Sequence, residues 1–343
     1  MDNVTLWQLL WFMVLGVSLI MYTVLDGFDL GVGILHLLGK TDNDRRVFLN
    51  AIGPVWDGNE VWLVVVMGGL FAGFPAAYAS LFSSFYNLFM IFIAVIIFRA
   101  VAIEFRSKKP SKLWRSTWDC AFSFASIIFA FTIGLTFGNV IQGVPIDESF
   151  MYSASFLELL NPYSLLVGFT AIALLAMHGT IFLFMKTEGD LHNRLRKWVD
   201  LSIVIFVVLY ILLTITTVRH LPFMVAPMLK YPILFIFPAI ALLAIIVIPI
   251  LVKKERDGLA FIFSCLAIAF LLMTAFWGVY PNIIRSSIDP INYSITIANS
   301  SSTDFTLKVL LTIAAIGVPL VLAYVAWAYH IFRGKVKITD TSY

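Results

Sequence analysis

Charge is what this sequence has least of. Asp, Glu, Lys and Arg make up only 13% of its 343 residues, where a soluble domain carries about a quarter. That shortage excludes a soluble globular domain, and no segment reads as one. Cysteine is nearly missing too. Cys120 and Cys265 stand far apart in apolar stretches, which leaves no metal-ligand spacing and no argument for a disulfide. A net charge of +3 gives no reason to expect a nucleic-acid partner. The five histidines are His36, His178, His192, His220 and His330, and only His178 lies well inside an apolar run. Haem iron takes axial ligands such as His or Met, so one buried His is a poor basis for a haem held wholly by this chain. His178 reads instead as a hydrogen-bonded core histidine. Met1 to Leu25 has no basic n-region and no small-residue cleavage site, so it reads as a retained first helix rather than a signal peptide. Low-complexity segments and defensible internal repeats are absent. The sequons at Asn292 and Asn299 carry no weight without a eukaryotic setting.

What is present is apolar. Hydrophobic residues make up 61% of the chain, 31 of them Phe, and the mean hydropathy is +0.95. The apolar residues run on rather than alternate, which selects helices over a barrel as the membrane-spanning structure. The fold class is therefore an all-α polytopic membrane protein. Nine segments reach the roughly 20 apolar residues that a span needs: 6–38, 51–74, 76–103, 117–141, 163–185, 198–218, 231–252, 259–280 and 305–332. They form a single integral membrane domain. Nineteen of the 23 Lys and Arg residues fall on one side, in alternate loops, the C-terminal tail and, for Arg99, the end of the third span. By the positive-inside rule the N-terminus is outside and the C-terminus cytoplasmic.

Polar residues inside these runs are the candidate site, because ionisable groups at membrane depth are costly. Trp56-Asp57-Gly58-Asn59-Glu60-Val61-Trp62 opens the second span, with Asp57 about two turns (~9 Å) into the bilayer at 1.5 Å per residue. Asp57 and Glu60 are three apart and share a helical face. Asp26 and Asp29 lie towards the cytoplasmic end of the first span, and the short loop between the two spans makes them neighbours. The four acids are expected to converge as a proton entry route, with Trp56, Asn59, Trp62 and Arg99 in support. Against this stands a bland reading, in which the acids pair with Arg99 or backbone donors and only hold helices together. Arg99 and Glu104 are expected to anchor the third span at the interface, and Asp119 to pair with a loop Lys or Arg. Asn139 and Gln142 are expected to cap the fourth span. The glycines at 27, 31 and 33 allow a close helix approach. Trp62 is expected to pack in the interior.

Asp-Gly-Phe-Asp-Leu-Gly-Val-Gly at 26–33 and Trp-Asp-Gly-Asn-Glu-Val-Trp at 56–62 resemble subunit II of the bacterial cytochrome bd-type quinol oxidases. Phe-Arg at 98–99, Phe-Arg-Ser-Lys at 105–108, Phe-Gly-Asn-Val-Ile-Gln-Gly-Val-Pro at 137–145 and Thr-Glu-Gly-Asp-Leu-His at 187–192 extend the resemblance along the whole chain. The resemblance implies two four-helix bundles plus a peripheral helix, paired with a homologous subunit I as a heterodimer in the bacterial plasma membrane. It places the b-type and d-type haems and the quinol-binding loop in that partner, with no metal and no catalytic residue here. Quinol is oxidised at the outer face, dioxygen is reduced to water with cytoplasmic protons, and a membrane potential builds without pumping. Asp57 occupies the position the family implicates in a proton path. Glu60 stands where some members carry Gln. A quinone or lipid is the ligand that the resemblance allows this chain, and a small accessory transmembrane subunit is a further partner it allows. Two other classes remain open on the sequence alone. One is a proton- or cation-coupled transporter or channel, in which repeats and helices broken at mid-membrane would be expected. The other is a purely structural subunit.

Overall fold

The computed structural model describes residues 4–148, 152 and 155–338. Twelve α-helices follow one another: α1 (Leu6–Leu35), α2 (Asp42–Ile52), α3 (Trp56–Gly73), α4 (Pro75–Ser84), α5 (Tyr86–Phe105), α6 (Lys112–Gln142), α7 (Pro162–Lys186), α8 (Gly189–His220), α9 (Pro222–Lys230), α10 (Ile236–Lys253), α11 (Asp257–Val279) and α12 (Asp304–Ile331). Among the described residues eight helices are long and apolar enough to cross a membrane. The α2–α3 pair, bent by 50° at its break, makes a ninth span if counted as one.

The breaks differ from the sequence expectation in instructive ways. A single helix over 51–74 is replaced by α2, a turn, and α3 starting at Trp56. Pro54 accounts for this, because it has no N–H to give to a helical ladder. Asp57 therefore sits in the first turn of α3 rather than two turns along a continuous helix. The helix expected over 76–103 is divided at Phe85 into α4 and α5; nothing in the local sequence explains that division. The span expected at 198–218 begins at Gly189, because the charged stretch 190–197 continues the helix beyond the apolar run. Helix α9 and an antiparallel strand pair, β1 (Asn282–Ile284) with β2 (Ile295–Thr296), lie in segments without a spanning apolar run.

Helix α1 lies at the centre, packed against α3, α6, α7, α11 and α12, and α7 in turn packs on α8 and α11. The glycines of α1 make this possible. A Cβ on Gly31 would run into the Leu175 carbonyl oxygen and the Gly179 backbone, so the backbones of α1 and α7 touch. Between the same glycines, Phe28 is fully buried and stacks on Phe182 at 4.0 Å. Helix α12 has Leu307 as its only buried residue and lies on the outside of the chain.

The end of the bundle richest in Lys and Arg is closed by ion pairs. Asp119, at 1% exposure, accepts from Arg106, from Arg45 Nη1 at 3.0 Å and engages His36 Nε2 at 2.6 Å. This meets the expected pairing of Asp119 with loop arginines. Asp42 joins Arg106 (2.7 Å) to Arg115 (3.0 Å), and Asp44 ties α2 to Arg194 of α8 (2.6 Å). At the opposite end Asn139 caps as expected, donating to Leu159 O (2.9 Å) and accepting from Asn161 Nδ2 (2.9 Å). Gln142 does not share that role through its carbonyl: its Oε1 has no partner among the described residues. Gly143 turns the chain at φ +97°, a backbone conformation that favours glycine.

Candidate functional site

Four helices meet around one buried arginine. Three-residue spacing puts Asp26 and Asp29 on one side of α1. The antiparallel α3 brings Asn59 and Glu60 to the same level, α5 supplies Arg99, and α12 supplies Tyr329. Arg99 is 1% exposed and Asp26 is fully buried. The guanidinium takes Asp26 in a fork, Nη2 to Oδ1 at 2.6 Å and Nη1 to Oδ2 at 3.2 Å, and Nη1 also reaches Glu60 Oε1 at 3.1 Å. Such bidentate charge-assisted pairs are the stronger kind of hydrogen bond. The Phe129 ring lies 5.9 Å from the guanidinium carbon. Arg99 is thus no interfacial anchor: it is buried at the centre of the acid cluster.

Asp29 stands beside this pair without a basic partner. Its Oδ2 accepts from Asn59 Nδ2 at 2.7 Å, while its Oδ1 has no partner among the described residues. Asn59 also donates to Leu25 O at 3.2 Å and accepts from the Tyr329 hydroxyl at 3.0 Å. Tyr329 was not a sequence candidate. Nothing local marks it; only the packing of α12 against α1 and α3 brings the last turn of the chain's final long helix to this place. Three of the four expected acids therefore gather. Asp57 does not join them. It is exposed on the chain's surface and makes no hydrogen bond or ion pair among the described residues. Asn59 faces inward, and a residue two positions away on a helix points to nearly the opposite side. Glu60, with an 18% exposed side chain, lies between the buried cluster and that outer face. Trp62 is 2% exposed and packs with Leu63, Val95 and Phe129, as expected for an interior residue, and Trp56 is half-buried.

Two cavities flank the cluster. One, of about 230 Å³, is apolar and lined by Phe12, Leu19, Met67, Phe89 and Phe276, with Tyr22 at its wall. Tyr22 lies one helical turn before Asp26 on the same face of α1. The other, of about 360 Å³, is polar and lies at the basic end, with Tyr329, Asn50 and Lys186 in its wall. Tyr329 thus connects that cavity to Asn59 and Asp29. Neither cavity is lined by a histidine. His178 is fully buried with both ring nitrogens engaged, Nδ1 with Ser264 Oγ at 2.8 Å and Nε2 with Val24 O at 2.9 Å, the satisfied core histidine expected. Among the described residues no group of three His, Cys, Asp or Glu side chains could hold a metal ion.

The model of the family described as cytochrome bd terminal oxidase subunit II matches residues 7–332. The chain belongs to that family. It is 33% identical to the cytochrome bd-I ubiquinol oxidase subunit 2 of Escherichia coli strain K12, over 97% of this chain and 96% of that one. It is 34% identical to the cytochrome bd ubiquinol oxidase subunit 2 of Bacillus subtilis strain 168, over 96% of each. The fold is that of a chain in the bd oxidase structure from Geobacillus thermodenitrificans, with a TM-score of 0.80 at 17% identity, covering 96% of this chain and 99% of that one. As a member of this family, with its long apolar helices, the chain is a respiratory oxidase subunit and a membrane protein.

Proposed function

We propose that the chain supports a haem-bearing subunit I in a quinol:oxygen oxidoreductase of the bacterial plasma membrane and delivers cytoplasmic protons to it. Quinol oxidation and the reduction of dioxygen to water belong, on this reading, to haems in the partner, and the chain's own task is proton supply and assembly. The bundles are α1, α3, α5 and α6 on one side and α7, α8, α10 and α11 on the other, with α12 peripheral and the basic end cytoplasmic. Proton uptake from that side with quinol protons released outside would build a membrane potential without pumping.

The observation that carries the proposal is the cluster itself. Asp26 and Glu60 share one guanidinium, Asp29 stands beside them on Asn59, and hydrogen-bonded Asn59 and Tyr329 link the group to the polar cavity at the basic end. Protons would enter past Tyr329, be held on Asp29 and its neighbours, and leave by Glu60. Asp57 then belongs to the exit. A carboxylate exposed beside Val61 and Val64 would be costly against lipid, so the α3 face that carries it is where subunit I sits. The apolar cavity beside Tyr22 suits the hydrophobic tail of a quinone or lipid.

The test is Asp29→Asn in the assembled complex, with Asp57→Asn in parallel. Oxygen consumption should fall at least about tenfold, a modest share of what a positioned proton-transfer group contributes, with haem absorption and subunit stoichiometry unchanged. Asp29→Glu should restore most of it. Near-normal turnover with intact haem bands would remove the proton role and leave a structural subunit. A colourless active monomer would instead favour the transporter.

A further inference from the structure

The polar cavity at the basic end has a feature that proton delivery does not need. Lys186, Arg333, Lys335 and Lys337 all line it, and no Asp or Glu does. The gathering of like charge is built by the fold. Gly334, at φ +100°, turns the chain after α12, and Val336 N–H donates to Lys186 O at 2.8 Å, which folds the tail back over the end of α7. Lys186 Nζ in turn donates to Phe332 O at 2.7 Å. Among the described residues only Lys335 of these four has an acidic partner, Asp257 at 2.8 Å. Arg333 has a 3.5 Å contact to His330, and Lys337 makes no hydrogen bond or ion pair among the described residues. The walls also offer hydrogen-bonding groups on Asn50 and Tyr329.

We infer that this cavity binds a phosphate-bearing anion, gripped by Arg333 and Lys337 against the Lys186 end of α7. Guanidinium and ammonium groups converging on a concave polar site are the usual recognition chemistry for phosphate. The position suits an anionic phospholipid headgroup, because α12 lies on the outside of the chain and basic residues just past a membrane helix attract anionic lipid. A soluble phosphate would satisfy the same donors. The inference does not depend on the proton path, and its test reads no turnover.

The complex is placed in nanodiscs of phosphatidylcholine alone, of phosphatidylcholine with phosphatidylglycerol, and of phosphatidylcholine with inorganic phosphate in the buffer. Hydrogen exchange of the backbone amides in 332–338 is then followed in each. Exchange there should slow about threefold or more when the anion is present. Slowing with phosphatidylglycerol only assigns the site to a lipid headgroup, and slowing with inorganic phosphate assigns it to a soluble ion. The Arg333→Gln/Lys337→Gln variant should lose the effect and Arg333→Lys/Lys337→Arg should keep it. The inference is overturned if neither anion slows exchange, or if the glutamine variant responds as the native chain does. Should the glutamine variant not assemble, the native arms and the conservative variant carry the same decision.

Discussion

Replacing Arg99 by Gln removes the one cation from a cluster that holds Asp26, Glu60 and Asp29. Arg99 and Asp26 are at 1% and 0% exposure, with two bonds between them and a third to Glu60. Breaking a buried pair by removing one partner leaves an uncompensated charge and costs about 3–5 kcal/mol. Asp26→Asn should cost less, about 1.5–3 kcal/mol, the range for a hydrogen bond to a charged group, because Glu60 still faces the guanidinium. The double variant Arg99→Gln/Asp26→Asn should be more stable than the sum of the single losses implies, since each substitution removes the charge the other stranded. The assay is reversible unfolding of the purified complex in mixed micelles, followed by tryptophan fluorescence. If Arg99→Gln costs no more than about 1 kcal/mol, the range of exposed ion pairs, the reasoning fails. Strict additivity of the two losses would refute it equally.

Tyr329→Phe deletes the hydroxyl that donates to Asn59, and oxygen consumption should fall several-fold with haem absorption unchanged; unaltered turnover would exclude this hydroxyl from the path. Gly31→Ala forces a methyl into the Leu175 carbonyl and Gly179, an overpacking of about 1–3 kcal/mol, and should reduce the yield of assembled complex. Asp119→Asn takes the carboxylate from Arg45 and leaves Arg106 with Asp42 alone, and should lower thermal stability, while turnover per haem stays as it was.

Membrane class, most helix positions and the buried acids were legible because they depend on composition and on spacing along one chain. Apolar runs locate spans, and an Asp inside a run is conspicuous wherever it packs. What the sequence could not give is which way a polar residue points. Asp57 and Asn59 are two positions apart and equally polar, yet one is exposed and the other 1% exposed. That difference is fixed by the restart of α3 after Pro54, which sets the helix rotation. Arg99 looked interfacial because it stands near the end of an apolar run, but the carboxyls of α1 and α3 supply the partners that let it be buried. Tyr329 was invisible for a different reason: its partner Asn59 is 270 residues away, and no periodicity reports a contact between the second and the last long helices. The family resemblance pointed to Asp57 within α3, and the structure sets that residue apart from the three buried acids.

The two charge clusters also separate by their arithmetic. At the basic end three carboxylates, Asp42, Asp44 and Asp119, are met by Arg45, Arg106, Arg115 and Arg194, with His36 in addition. Every carboxylate there has a permanent cation, so the cluster needs nothing further and serves as a clamp between α1, α2, α5, α6 and α8. Around Arg99 the balance is reversed, with three carboxyls to one guanidinium and no other Lys or Arg bonded to them among the described residues. An unpaired buried carboxylate is costly, and on the proposed function the deficit is met by protons held on the carboxyls. Those protons would reach Asp29 through the hydrogen bonds of Tyr329 and Asn59. That deficit is the feature on which the proposed proton role rests.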